Sequence, residues 1–168
     1  MNAHVVEPAN EHRVGELNAV NFTNFNSPEH LILGIGNESR QDDGIGWAFI
    51  DYLETRPACA HATLDRRYQL LVEDAEVISH FKRVLIVDAS QEAHVDTVSL
   101  VRIAPKLDTS FTSHAVSPES ILATCVQCFA VQPELWFLTI KGYEWQFGHG
   151  LSAQAQMNFQ MVLDWVSA

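Results

Sequence analysis

Four residues of this 168-residue chain have the types and surroundings that hydrolytic or metal chemistry needs: Asp42, Asp43, Asp88 and His114. Asp42 and Asp43 close a polar, glycine-bearing stretch that follows the apolar run Leu31-Ile32-Leu33-Gly34-Ile35. Asp88 directly follows Val84-Leu85-Ile86-Val87. His114 lies in Thr112-Ser113-His114-Ala115-Val116, just ahead of Ser117-Pro118. Two carboxylates and one imidazole brought together can hold a divalent metal with coordination positions left open, because closed structural sites use four protein ligands. A carboxylate pair can also move protons to and from a water with no metal. Each residue has an ordinary structural role as well. An Asp ahead of a helix caps it or complements its dipole, an Asp at a strand end fixes a turn, and a His before a helix sits at the surface. What favours chemistry is a fold that gathers these residues at one edge.

The flanking segments predict such an edge. Leu31 to Ile35 and Val84 to Val87 are short continuous apolar runs, the mark of strands buried on both faces. Leu135 to Ile140 is a third run rich in branched and aromatic residues, and Thr97 to Ile103 and Thr63 to Leu70 are two further strands. Ile45, Ala48, Phe49, Tyr52 and Leu53 recur at helical spacing, and Pro57 bounds that helix. Leu71, Ala75 and Ile78 suggest a short helix. Ser117-Pro118 reads as a cap and first helical position, with Ile121, Leu122, Cys125 and Phe129 facing inward. Ser152 caps a final helix striped by Ala155, Phe159, Val162 and Val166. Alternating strands and helices predict an α/β fold: a three-layer, mostly parallel twisted sheet of about five strands with helices on both faces. In such sheets ligands bind outside the carboxyl ends of the strands, where a crossover helix also begins. Asp42, Asp43, Asp88 and His114 all map to that edge. Residues 1–28 read as a polar extension, partly ordered through Phe22 and Phe25, and residues 29–168 as a single α/β domain.

Composition narrows the function. The net charge of −11 sets the chain against nucleic acid and anionic membrane surfaces. No apolar run reaches the ~18 residues of a membrane span, and no secretory signal pattern opens the chain. Three cysteines, an odd number, fit free thiols in a reducing compartment, so a cytoplasmic location is expected. Gly34-Ile35-Gly36 lacks the third glycine of a dinucleotide loop, whose place is taken by Ser39, and no organic cofactor is expected. Cys125 and Cys128 have metal-like spacing but lie within one helix without a second pair, which favours core packing. Asp65-Arg66-Arg67 reads as a loop whose guanidinium groups are either solvated or meet a carboxylate-bearing partner. Trp47, Trp136, Trp145 and Trp165 are core or interface residues.

The ordered set of motifs resembles a known family. Gly34-Ile35-Gly36-Asn37 with Asp42-Asp43-Gly44-Ile45-Gly46, Val84 to Ala89, Ser113-His114, Lys141-Gly142-Tyr143-Glu144 and Gly150-Leu151-Ser152 is similar to the nickel–iron hydrogenase maturation endopeptidases. The resemblance runs from about Leu31 to Trp165. It implies an endopeptidase that removes a C-terminal peptide from the nickel-loaded precursor of a hydrogenase large subunit. Carried over by position, Asp43, Asp88 and His114 are the catalytic, metal-contacting residues, with nickel presented by the precursor and Asp42 a neighbouring loop group. The Gly36-Asn37 turn shapes the same cleft. Asp65 to Ala75 replaces the glycine-rich turn of many relatives and looks like the subgroup serving cytoplasmic NAD-linked hydrogenases. The residues leave two mechanisms open, one through a shared metal and one through the carboxylates alone. A non-catalytic nickel-binding or nickel-sensing accessory protein is the alternative function, and a metal-free small-molecule module a third.

Overall fold

The computed structural model describes residues 17–18, 20–56, 61–107 and 116–168. Strand β1 (His30–Ile35) takes β2 (Thr63–Arg67) on one side and β3 (Arg83–Ser90), the central strand of the sheet, on the other, both parallel. Beyond β3 come β5 (Glu134–Lys141), parallel, and β4 (Val98–Arg102), the antiparallel edge, giving the order β2-β1-β3-β5-β4. The apolar runs of β1 and β3 are continuous because both faces of these strands are covered. Leu31, Leu33, Val84 and Ile86 face one core, while Ile32, Leu85 and Val87 face the other.

The first core is filled by α2 (Asp74–Ser79) and α3 (Pro118–Phe129) through Ala75, Ile78, Ile121, Leu122 and Cys125. The second is filled by α1 (Ile45–Glu54) and α4 (Ala153–Ser167) through Phe49, Ile50, Leu53, Phe159 and Val162. Ser117 and Ser152 cap α3 and α4 by accepting from the amides of Ser120 and Ala155, at 3.2 Å in each case. The result is a three-layer α/β fold. Among the described residues no helix is long and apolar enough to cross a membrane.

Three local expectations change. Strand β3 continues through Asp88 to Ser90, because β5 keeps pairing with it (Asp88 with Thr139, Ser90 with Lys141) after β1 has stopped at Gly34. Asp65, Arg66 and Arg67 belong to β2 rather than to a loop, and both guanidinium groups are neutralised within the chain: Arg66 by Asp51 and Glu54, Arg67 by Asp65 and Asp74. Phe129 is 41% exposed, since the inward stripe of α3 ends at Cys125 and Ala130 turns left-handed behind it. Phe22 and Phe25 sit in a 3-10 turn (Phe22–Phe25) deep in the core, their rings 5.2 and 5.9 Å from Trp165.

Candidate active site

At the carboxyl end of β1 the chain turns back on itself. Gly36 adopts φ +131°, and a Cβ there would overlap the Asp43 carbonyl oxygen, so only glycine fits this close return of the loop. The Asn37 amide donates to that same carbonyl at 3.1 Å, and the Arg40 amide donates to the Asn37 carbonyl at 3.0 Å. A 3-10 turn (Gln41–Gly44) follows and feeds α1. The turn places Asp42 and Asp43 on opposite sides of the loop.

Asp42 is fully buried. Its carboxylate accepts the amides of Tyr143 (2.7 Å), Glu144 (2.9 Å) and Ser152 (2.6 Å), and the Ser152 hydroxyl donates to it at 2.7 Å. Burial pushes this carboxyl upward, but those hydrogen bonds outweigh it and hold the group below the usual carboxylate range. Gln41 adds a second tie with a left-handed backbone: its Nε2 donates to Glu144 at 2.8 Å and its amide to the Gly148 carbonyl at 3.0 Å. The loop after β1 is thus bonded to the loop after β5. Fully buried and already met by four donors, Asp42 holds the loops rather than meeting a ligand.

Asp43 points the other way. It is half-buried, and burial raises its carboxyl despite the Arg40 charge and the Asn37 amide, both of which act in the opposite sense. Asp88, on the neighbouring strand, is pushed up to about 7 by burial, against a bond from the Ala89 amide and with a further push from the Asp43 charge. Asp43, Asp88 and Phe137 line both of two adjoining cavities, one of about 590 Å³ and one of about 170 Å³. The larger is bounded also by His94, Thr139 and Trp145, the smaller by Gly36, Tyr68 and Leu70. These cavities open where β1 leads off to β2 on one side and β3 stands on the other, the switch point at which open α/β sheets bind ligands.

Of the four sequence candidates, the structure brings Asp43 and Asp88 into one cleft and buries Asp42 behind it. His114 lies outside the described residues, as does Cys59. Among the described residues there is no cluster of three side chains able to hold a metal ion. Two carboxylates suit a hard or borderline cation as part of a larger ligand set, and a third donor must come from elsewhere. Cys125 is buried, with its thiol directed at the Ala75 carbonyl, whereas Cys128 is exposed. His94, Glu92 and Trp145 were not legible as cleft residues, because they lie in irregular loops without periodicity. The donors of the Asp42 clamp, Tyr143, Glu144 and Ser152, stand in two of the segments that carry the resemblance, but nothing in their types points to Asp42.

No protein-family model matches the chain, and no curated protein matches its sequence. Solved structures do match. The hydrogenase maturating endopeptidase HybD from E. coli superimposes with a TM-score of 0.61 at 20% identity, over 81% of this chain and 88% of that one. The [NiFe] hydrogenase maturation protease HycI from Thermococcus kodakarensis gives 0.60 at 14% identity, over 82% and 92%. A hydrogenase 2 maturation peptidase from a Thaumarchaeota archaeon gives 0.57 at 18% identity, over 81% and 94%. The chain has the fold of the hydrogenase maturation endopeptidases. In this maturation-endopeptidase fold, Asp43 and Asp88 occupy the position where the sheet topology itself creates a crevice.

Proposed function

We propose that this protein is a hydrogenase maturation endopeptidase, cutting a C-terminal peptide from the nickel-loaded large-subunit precursor of a nickel–iron hydrogenase. The observation that carries the reading is the pairing of Asp43 and Asp88 in one cleft at the switch point of that fold. The ordered motifs from Gly34 to Ser152 support it, and Asp65 to Ala75 directs it toward a cytoplasmic NAD-linked hydrogenase. The cytoplasm suits the free thiols of Cys125 and Cys128.

Nickel is here a feature of the substrate; in the route through a shared metal, Asp43, Asp88 and His114 would contact it, with both carboxylates ionised. The chemistry it would supply there is to polarise a nearby carbonyl or acidify a water. The protein's own contribution is a carboxyl pair whose members are destabilised as charges. Near neutrality Asp88 exchanges its proton readily, since its pKa is about 7. In the route through the carboxylates alone, with Asp43 ionised and Asp88 protonated, Asp43 accepts a proton from the attacking water while the hydroxyl adds to the scissile carbonyl carbon. Asp88 then protonates the leaving nitrogen as the C–N bond breaks.

The test is a mass spectrum of nickel-loaded and nickel-free precursor after incubation with the protein. Loss of a single C-terminal peptide from the loaded form alone supports the reading. Tight nickel binding by the protein with an uncut precursor would instead identify a nickel-binding accessory protein.

A further inference from the structure

The loop that clamps Asp42 also carries Phe147, the most exposed large apolar residue among the described ones, at 89%. A single exposed apolar residue is ordinary on a protein surface. This one has company: Tyr143, Trp145 and Phe147 put three aromatic rings into five residues between β5 and α4. Trp145 reaches inward, its ring packed against Gly142 and lining the 590 Å³ cavity with Asp43 and Asp88. Tyr143 is 40% exposed, and its hydroxyl accepts from the Asn158 side chain of α4 at 3.2 Å. Phe147 stands out into solvent, with the Arg40 guanidinium 6.0 Å from its ring centroid.

The backbone that presents this ring is tightly held. The Gly148 amide donates to the Ser39 carbonyl and the Gln41 amide to the Gly148 carbonyl, both at 3.0 Å. The Gln146 amide donates to the Gln41 side chain at 3.2 Å, and Arg40 donates to the Trp145 carbonyl at 3.3 Å. With the two amides that Asp42 accepts, each of Tyr143, Glu144, Trp145, Gln146 and Gly148 is bonded to residues 39–42. An aromatic ring on so fixed a loop loses little further freedom when something binds it. Aromatic residues and arginine are also the types that dominate the centres of protein interfaces.

Position selects the partner. The loop is one wall of the cleft, and the Arg40 charge that flanks Phe147 also acts on Asp43. A cavity of about 590 Å³ has the size of a small-ligand site, so it takes only a short stretch of peptide. A protein that sends a segment to Asp43 and Asp88 must therefore rest its folded body on the rim, where Phe147 projects. We propose that Phe147 is the anchor on which the folded body of the hydrogenase large-subunit precursor seats, its ring entering an apolar pocket of that body. The inference rests on the function proposed above. The body carries the retained side of the scissile bond, and docking on Phe147 holds the tail at a set distance from the carboxyl pair. Phe147 thus serves binding and leaves the chemical step alone.

The experiment illuminates the full chain bearing Phe147→p-benzoylphenylalanine with each nickel-loaded hydrogenase large-subunit precursor of the source organism, beside cleavage kinetics of Phe147→Ala and Phe147→Trp. A covalent adduct is expected, mapping by mass spectrometry to the retained body of a precursor. Lys82→p-benzoylphenylalanine, at the opposite edge of the sheet, gives none. Phe147→Ala raises KM about thirtyfold, as loss of an interface hot spot does, while kcat stays within about twofold of wild type. Phe147→Trp restores most of the loss. A fall in kcat with KM unaltered makes the ring a structural prop and overturns the anchor. No adduct, or an adduct only with the released peptide or with a second copy of this chain, overturns it too; where cleavage persists, the endopeptidase stands. An adduct on the precursor body with every precursor left uncut keeps the docking site and overturns the endopeptidase.

Discussion

An aspartate that accepts three amides and a hydroxyl is held in its charged form, because every one of those bonds favours the anion. Asp42 is such a group, and its neighbour Asp43 is not. Asp42→Ala leaves the amides of Tyr143, Glu144 and Ser152 without an acceptor, at a cost of about 3 kcal/mol in urea denaturation. Its depressed pKa contributes stability at neutral pH that is lost as pH falls through the folded value. Asp88 has the opposite sign. Its folded pKa of about 7 lies above the unfolded value, so the folded protein holds an additional proton in that interval, and stability declines as pH rises from about 4 to 7. Asp88→Asn removes that dependence, and denaturation at pH 4 and pH 8 should find the variant equal to wild type at the first and more stable at the second. In the processing assay, Asp43→Ala or Asp88→Ala lowers cleavage by about 100-fold or more while circular dichroism stays native. Wild-type rates in either variant would remove that residue from the mechanism.

Elements set the distances that single residues cannot. The return of the loop after β1 depends on Gly36, so Gly36→Ala costs at least about 2 kcal/mol and displaces Asp43; denaturation and the processing assay should fall together. Such elements were legible where periodicity is strong. The buried runs of β1, β3 and β5, the capped starts of α3 and α4 and the α1 stripe could all be read from residue type, because burial on one or two faces leaves a distinct pattern. Strand β2 was partly hidden by Asp65-Arg66-Arg67, which looks solvated until Asp51, Glu54 and Asp74 arrive from neighbouring helices. The overrun of β3 past Asp88 was hidden too, since its cause is pairing with β5 rather than its own composition. For the site, the acids could be named from strand ends; the division of labour between Asp42 and Asp43 came from the family resemblance alone, because its physical cause is a set of amides about a hundred positions away.

At the scale of the whole molecule, two cores on the two faces of one sheet hold the cleft at its rim. The second core reaches back before β1. Phe25, 1% exposed, meets Trp136 and Trp165, and the Arg83 guanidinium lies 5.8 Å from its ring centroid. Phe25→Ala should therefore cost about 3–5 kcal/mol, as a core phenylalanine does, measurable as a lowered urea midpoint. The clamp on Asp42 has a consequence in time as well as in space. Its acceptor is made early in synthesis and its last donors, on Ser152, come 110 residues later. A nascent chain still short of that serine can pair β1, β2 and β3, yet its cleft cannot be set. The cleft of Asp43 and Asp88 is thus set only once Ser152 has left the ribosome, and a shorter nascent chain is a sheet whose two loops are not yet tied.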